Sequence, residues 1–435
     1  MIVAFTVKNY KSIKDEVTLK MQPTVIKHNL ENVILTNNKQ IPRLLKSAFI
    51  CGQNASGKSN VLEALKTMCK IIQSKPAQDA LLDYNPFRLD IDTQTMPTDF
   101  ELIFLVDNIR YVYGFSYNSE KIIKEYLYYY PNGKITCVFE RHSENMPVFK
   151  FNDKKEQQQE VAKNLSRNNL YLSVAAWLNI GVTKVAYDYF SKKIVYIGSK
   201  NVENEMQSLV QKISLIKDIS DDNYKQQLEA SLVYADLGVK GIDIKYSELP
   251  SLVKEITQTI SGKILENEKQ KELTNYLDNF QNPTLLVKHI FIDKDKRINE
   301  VLFDLNKEES NGTIKLFFLM SFIIDAIKSK KTLLIDEIEI NLHPSIINYI
   351  TAIFNCDKNL YSQLIFTTHN YDLLSLDNSG FRKDQVWFTE KDLISQSTQL
   401  YSLNDFKERK GLDIKKRYFN GKYGTLPNIY GDIFE

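Results

Sequence analysis

Hydrophobic and polar positions divide the chain into three regions, of which the first, residues 1–152, has mostly the alternation of β-strands. The segments MIVAFTVKNY and VTLKM alternate near the start, and FELIFLVDNIRYVYGFSYN alternates further on. Asn132 and Gly133 separate two later alternating runs, where a hairpin turn is expected. Apolar residues recur at helical spacing from Asn60 to Ile72. The pattern predicts a lobe with an antiparallel sheet and one helix.

The second region, residues 153–284, is more polar and mostly helical in pattern. Helical spacing is found in DKKEQQQEVAKNL, NVENEMQSLVQKISLIKDI, NYKQQLEASLVYA and the segment that begins LPSLVKEITQ, and GIDIKYSE is a short strand pattern. No heptad repeat continues far enough for a long coiled coil. This region is predicted to be a helical arm or lid. Residues 285–435 return to strands and then to an α/β pattern, so the predicted fold class is α/β, with a mixed sheet, an antiparallel β lobe and an inserted helical subdomain.

Composition narrows the class of protein without naming a function. The chain has 435 residues, of which 43% are hydrophobic and 25% are charged. Because the net charge is only +2, the protein as a whole has no strong positive electrostatic field that would require a nucleic-acid partner. The four cysteines show no metal-binding spacing and favour a reducing compartment. The start lacks the apolar core of a signal peptide, and LFFLMSFIIDAI is too short to span a bilayer. We expect a cytoplasmic protein without a membrane partner.

FICGQNASGKSNVLEAL carries the strongest motif. Gly52, Gly57, Lys58 and Ser59 match G-x-x-x-x-G-K-[ST], between an apolar strand pattern and a helical pattern. Glycines let backbone N–H groups point inward, and a helix N-terminus adds partial positive charge, which suits phosphate. Lys58 is predicted to reach the β- and γ-phosphates of ATP, and Ser59 to bind Mg²⁺.

TLLIDEIEINLHP supplies the carboxylates that hydrolysis requires. Asp336 and Glu337 follow the apolar strand Thr332 to Ile335. At a strand end, Asp336 is placed to bind Mg²⁺ and Glu337 to polarise the attacking water. An acidic loop after a buried strand is the simpler alternative.

QLIFTTHNYDLL places His369 after another apolar strand pattern. Ligands of parallel sheets bind beyond the carboxyl ends of the strands, so His369 is predicted to lie near the γ-phosphate.

Ser310 and Gly312 precede a long apolar helical pattern, LFFLMSFIIDAI. A Ser-x-Gly segment at a helix N-terminus can bind an anion, and we expect it to contact the nucleotide of a second subunit. The same serine would also serve as a plain helix cap.

The order GQNASGKSN, EESNGT, LLIDE, NLHP and FTTHN resembles the ABC-type ATPase heads of the SMC, Rad50 and RecF group. With FTVKNYKSIKD, PFRLD and RYFNGKYGTLP, it more closely resembles the OLD-like, abortive-infection ATPases, often described simply as AAA-family proteins. The resemblance implies roles for eight loop residues in holding the nucleotide: Gln53, Asn54, Ala55, Ser56, Gly57, Lys58, Ser59 and Asn60.

The resemblance implies further roles outside the loop. Lys11 and Ser12 would lie beside the nucleotide. Ser310 and Gly312 would act as the signature motif in trans, although the sequence reads E-S-N-G. His369 would be the switch histidine, completing a catalytic set with Lys58 and Glu337.

The resemblance also implies a function. Two copies would close on ATP as a homodimer, or within a higher homo-oligomer, and hydrolysis would release them. The chain has about thirty-five residues after Leu400, too few for a fused Toprim nuclease domain. The expected function is therefore that of the ATPase subunit of a phage-defence complex, with a separate Toprim nuclease or toxin as effector and a phage protein or DNA as trigger. A RecF- or SMC-like DNA-repair ATPase is the alternative, and a transporter ATPase is a weaker one.

Overall fold

The chain forms two compact units, Met1–Ser199 with Asp325–Glu435 and Lys200–Ile324. The computed structural model describes residues 1–75, 80–143, 147–151, 155–198, 215, 218–235, 238–248, 281–406 and 412–424. The helical patterns predicted over 201–214 and 249–280, and the end of the RYFNGKYGTLP segment, lie outside the described residues.

The first unit contains most of the regular structure. Its strands are β1 (Ile2–Lys8), β2 (Val17–Lys20), β3 (Val33–Leu35), β4 (Arg43–Leu45), β5 (Ser47–Gly52), β6 (Thr98–Val106), β7 (Ile109–Tyr117), β8 (Ile122–Tyr130), β9 (Thr136–Ser143), β10 (Pro147–Phe151), β11 (Ile194–Ile197), β15 (Thr332–Ile335), β16 (Gln363–Thr367), β17 (Val386–Lys391) and β18 (Thr398–Ser402). Its helices are α1 (Lys58–Gln73), α2 (Lys155–Lys163), α3 (Tyr171–Trp177), α4 (Gly181–Lys192), α7 (Pro344–Asn355), α8 (Leu376–Ser379) and α9 (Ile414–Phe419).

The second unit is inserted between β11 and β15. Its elements are α5 (Asp222–Tyr234), β12 (Gly241–Glu248), β13 (Gln281–Ile292), β14 (Ile298–Asp304) and the start of α6 (Asn311–Ser329).

The central sheet of the first unit has the order β11-β15-β16-β5-β17-β18. The first five strands run parallel and β18 is antiparallel to β17. Every residue of β5, β15 and β16 is buried, as expected for parallel strands that are covered on both faces and therefore read as continuous apolar runs. Because β16 lies between β5 and β15, the carboxyl ends of these three strands meet at one edge.

An antiparallel sheet of seven strands, in the order β10-β9-β8-β7-β6-β1-β2, forms the other layer. Strands β1 and β2 pair as an antiparallel hairpin, and the predicted turn at Asn132 and Gly133 is confirmed. One hydrophobic core joins this sheet to α1, for example through Val61, Leu65 and Phe104. The predicted α/β class, with a mixed sheet, an antiparallel lobe and an inserted unit, is confirmed.

The boundaries of the inserted unit differ from the predicted 153–284. Residues 155–198 belong to the first unit, because α4 is amphipathic and packs on the antiparallel sheet; the rings of Tyr189 and Phe104 stack with centroids 4.4 Å apart. Residues 285–324 belong to the inserted unit, where β13 pairs with both β12 and β14. Its described part is therefore mixed α/β and not purely helical.

None of the described helices combines the length and the apolar character that crossing a membrane requires.

A buried ion pair stabilises the junction between the antiparallel sheet and α3. Glu125 and Arg141 are fully buried, with 3.7 Å between their charged groups. The Glu125 carboxylate accepts backbone N–H bonds from Tyr171 (2.7 Å) and Leu172 (2.9 Å), at the start of α3. Arg141 donates to the carbonyl oxygen of Asn169 at 2.7 Å. The pair thus ties the end of a loop and the first turn of a helix to two strands.

We expect Arg141→Met to destabilise the first unit by about 3–5 kcal/mol, because it leaves the Glu125 charge buried without its partner. Urea unfolding followed by circular dichroism measures the loss. Lys192→Met, which removes a surface ion pair with Asp188, is the control and should change the unfolding midpoint little. Adding Glu125→Gln to Arg141→Met should restore part of the stability. An unchanged midpoint for Arg141→Met would contradict the prediction.

Candidate active site

The phosphate loop connects β5 to α1 at the position that the motif predicts. Gly57 precedes the first residue of α1 and adopts a φ of +99°, which L-residues with a side chain rarely adopt. Ala55 also has a positive φ, of 61°, so the loop turns sharply twice within three residues. Asn54 and Ala55 are exposed at the turn, whereas Ser56 is buried.

Close packing explains why the loop needs glycine at both ends. A Cβ on Gly57 would lie 2.0 Å from the Thr398 hydroxyl, and a Cβ on Gly52 would lie 2.3 Å from the Thr389 carbonyl oxygen. Ser56 Oγ forms a hydrogen bond with Thr389 Oγ1 at 2.7 Å. The loop therefore rests directly on the ends of β17 and β18.

A chain of hydrogen bonds joins the loop to the N-terminal segment. Thr398 Oγ1 donates to the Ser56 carbonyl oxygen (2.9 Å) and lies 2.6 Å from Ser12 Oγ. Asn60 Nδ2, on the first turn of α1, donates to Ser12 Oγ at 2.6 Å. Lys11 forms an ion pair with Glu63, also on α1. Ser12 and Lys11 thus lie beside the phosphate loop.

Lys58 folds back over the loop. Its ammonium donates to the carbonyl oxygens of Gly52 (3.0 Å) and Gln53 (2.8 Å), and only 5% of the residue is exposed. Burial lowers the pKa of Lys58, while the charges of nearby acidic groups, including Glu337 and Asp336, oppose that shift.

Asp336 lies at the end of β15 and contacts two hydroxyls. Thr367 Oγ1, at the end of β16, donates to Asp336 Oδ1 at 2.6 Å, and the side chain of Ser59 also hydrogen-bonds to this carboxylate. Burial raises the pKa of the Asp336 carboxyl, and both hydrogen bonds oppose the rise. The structure therefore brings Ser59 and Asp336, the two predicted Mg²⁺ ligands, into contact.

Glu337 follows in a strained backbone. Its φ is 49°, a conformation that costs of order 1–3 kcal/mol for a residue with a side chain, and its N–H donates to Thr367 Oγ1 at 2.7 Å. The side chain is half-buried, and its charge acts on Lys58, Asp336 and His369.

His369 is half-buried two residues beyond β16. Burial lowers the pKa of its imidazole, and the positive charge of Lys58 lowers it further. A neutral ring at physiological pH can donate one hydrogen bond and accept another.

Ser310 and Gly312 belong to the inserted unit. The Thr313 N–H donates to Ser310 Oγ at 3.1 Å, and the Ile314 N–H donates to the Ser310 carbonyl oxygen at 2.9 Å. Ser310 therefore caps α6, as the simpler alternative requires, and remains exposed. Its role as a signature motif stays a prediction.

Several residues of the site were not predicted from the sequence. Thr389 and Thr398 reach the loop through strand pairing far along the chain, so no local pattern marks them. Thr367 and Glu339 lie within the motifs FTTHN and DEIE. Their polar side chains next to a predicted strand end could have identified them as site residues. Tyr371 OH also reaches the Gly52 carbonyl oxygen, at 3.4 Å.

The residues present fit a magnesium nucleotide. Ser59 and Asp336 offer the hydroxyl and carboxylate oxygens that Mg²⁺ prefers, and such sites usually take few protein ligands because phosphates and waters complete the shell. A buried ammonium beside the N-terminus of a sixteen-residue helix suits phosphate oxygens.

Comparison with solved structures finds similar chains at low identity. The SMC head domain from Thermotoga maritima is 11% identical with a TM-score of 0.39, and the match covers 92% of this chain and 98% of that one. A structure described as the SmcHead bound to the C-winged helix domain of ScpA is 12% identical with a TM-score of 0.43, covering 92% and 97%. The Smc head domain with an extended coiled coil, bound to the C-terminal domain of ScpA derived from Pyrococcus furiosus, is 11% identical with a TM-score of 0.37, covering 97% and 98%. Similarities with such low identities and TM-scores support no conclusion about function.

The sequence itself matches a family model over residues 47–177 and 207–377, which together make up more than half of the chain. No curated protein matches it. The matched segments contain the phosphate loop, the two carboxylates and His369. The narrower resemblance to the OLD-like group stays a prediction. The chain belongs to the AAA-domain family whose description reads "AAA domain, putative AbiEii toxin, Type IV TA system".

Proposed function

We propose that the protein is an ABC-type ATPase subunit of a bacterial phage-defence complex, in which ATP closes two copies and controls a separate effector. The observation that carries the ATPase proposal is the convergence of Lys58, Ser59 and Asp336 at the ends of neighbouring parallel strands. The family description, which refers to toxins and type IV toxin–antitoxin systems, supports a defence role.

Each residue has a defined part in hydrolysis. The Lys58 ammonium exchanges its loop carbonyls for phosphate oxygens, and Gln53 to Asn60 surround the phosphates. Glu337 accepts a proton as water attacks the γ-phosphorus, and the bond to the ADP oxygen breaks. His369 hydrogen-bonds near the γ-phosphate. Ser59 and Asp336 would hold Mg²⁺, which neutralises phosphate charge when bound.

Two copies would complete each other's sites. Ser310 and Gly312 of one copy contact the nucleotide on the loop of the other, so that ATP binding favours the closed dimer and hydrolysis releases it. The exposed position of Ser310 leaves it accessible to a second copy. The effector is a separate Toprim nuclease or toxin, and a phage protein or DNA is the trigger.

Phage challenge tests the defence role. Cells that express the protein with its neighbouring gene should resist phage infection, and Lys58→Ala should abolish the resistance. Equal plaque numbers with and without the protein would contradict the defence proposal. Tight, salt-sensitive DNA binding that requires ATP would favour a DNA-clamping ATPase instead.

We expect Lys58→Ala to weaken ATP binding strongly. Hydrogen bonds to charged groups contribute about 1.5–3 kcal/mol, so losing the ammonium weakens binding by about 10- to 100-fold. Fluorescence anisotropy of a labelled ATP measures the affinity. The control is Lys70→Ala on the same helix, whose ammonium is exposed and paired with Asp83. ATP affinity retained by Lys58→Ala would show that this loop does not bind phosphate.

Glu337→Gln should bind ATP but hydrolyse it about 10²- to 10⁴-fold more slowly, because the amide cannot accept the proton. The ATP-bound variant should accumulate as a dimer in size-exclusion chromatography with light scattering. Glu120→Gln, an exposed carboxylate, is the control. Hydrolysis at the wild-type rate by Glu337→Gln would show that the base is a different residue.

Gly57→Ala should lower ATP affinity by about tenfold or more, the effect of one lost charge-assisted hydrogen bond, because the new Cβ meets Thr398 and displaces the loop. Gly380→Ala is a matched control, since Gly380 also has a positive φ (+71°) but no atom within 4 Å of the place that a Cβ would occupy. The same anisotropy assay compares the two variants. Equal ATP affinities for the two would contradict the tight packing of the loop.

A further inference from the structure

Glu339 holds the segment that carries His369. It lies in the turn that follows β15, and its Oε1 accepts the backbone N–H of His369 at 2.5 Å. The contact joins residues from two different strand ends, thirty positions apart in the sequence. This hydrogen bond fixes the backbone of His369, which lies beyond the end of β16.

The second oxygen of this carboxylate is unusual. Oε2 of Glu339 is buried and has no hydrogen-bond partner among the described residues. Buried polar atoms are nearly always paired, because leaving one unpaired destabilises the fold. Such an exception calls for an explanation other than stability, and a role in catalysis is one such explanation.

Glu339 also lies close enough to the candidate active site for its charge to act on site residues. Its charge acts on both Lys58 and His369 and offsets part of the lowering of their pKa values that burial causes. A neighbouring group repeats the pattern, since Asn370 Nδ2 is likewise buried without a partner among the described residues. Asn370 Oδ1 accepts the Asp372 N–H at 3.1 Å, so the turn after His369 is fixed from its other side as well.

We propose that Glu339 is a positioning residue for the ATPase reaction, which keeps His369 in place through the bond to its backbone N–H. The inference rests on the proposed function, because His369 is the group through which Glu339 acts. Glu339 itself touches neither substrate nor the attacking water in this assignment. Glu337, two residues earlier, remains the base.

Steady-state kinetics of two substitutions test the role. Glu339→Ala removes the acceptor and should lower kcat for ATP hydrolysis about tenfold or more, with less than about a threefold change in KM, because the lost bond acts on the histidine and not on ATP binding. Glu339→Gln keeps a carbonyl oxygen for the same bond and should recover most of kcat. The matched control is Asp293→Ala, which removes a carboxylate that accepts the Asp295 and Arg297 N–H groups in the turn between β13 and β14.

A double-mutant cycle with His369→Ala separates positioning from general loss of structure. Glu339→Ala should lower kcat by less than about twofold when His369 is already absent, because interacting residues are not additive. If Glu339→Ala lowered kcat by the same factor in the wild type and in the His369→Ala variant, the proposal would be overturned. So would a Glu339→Gln variant that is as slow as Glu339→Ala.

The NMR signal of the His369 ring gives a readout that needs no hydrolysis. The chain has five histidines, and the His369→Ala variant assigns the signal in ¹³C-histidine-labelled protein. Glu339→Ala should shift or broaden this signal, whereas Glu339→Gln and Asp293→Ala should leave it near its wild-type position. An unmoved signal in Glu339→Ala would overturn the positioning contact. A wild type that hydrolyses no ATP would instead overturn the proposed function, and with it the catalytic part of this inference, whatever the NMR result.

Discussion

The hydroxyl of Thr367 is the point on which the geometry of the site depends. Fully buried at the end of β16, it donates to Asp336 and accepts the N–H of Glu337, so that one atom fixes the two residues that follow β15. The backbone of Thr367 continues the link, because its carbonyl oxygen accepts the Ile338 N–H and the residue pairs with Ile50 of β5. This one threonine thus connects the ends of β15 and β16 to the strand that leads into the phosphate loop.

Charge balance imposes a second constraint. The charges of three carboxylates, those of Asp336, Glu337 and Glu339, act on the buried ammonium of Lys58. Burying a lone ammonium or a lone carboxylate is costly, and mutual attraction offsets part of that cost. A triphosphate would add several negative charges to the same place. Binding of a triphosphate here would therefore need Lys58, the helix N-terminus and a divalent cation together to balance its charge.

The sequence predicted the parts of the fold that depend on local pattern. Strands β5, β15 and β16 were identifiable because buried parallel strands are continuous apolar runs, and β15 was predicted with its observed limits. The boundary at residue 153 was misplaced because helical periodicity shows that α4 has an apolar face but not what that face packs against. Tyr189 reaches Phe104 only through tertiary packing. The predicted site residues that follow β5, β15 and β16 lie near one another because these strands are parallel neighbours whose carboxyl ends meet at one edge. Glu339 was missed because its place after a strand end marks it as a polar residue but does not reveal its partner, the backbone N–H of His369.

The loop also depends on parts of the chain that no motif marks in the sequence. Gly57 approaches Thr398 and Ser12 so closely that the loop, the N-terminal segment and β18 must be placed together. Tyr371, which reaches Gly52, stacks on Tyr418 of α9 with ring centroids 4.8 Å apart. A displacement of either β18 or α9 would therefore reach the phosphate loop through direct contacts. The C-terminal segments of the first unit thus belong to the site as much as the motif does, and a partner that binds them could change nucleotide affinity without touching the nucleotide.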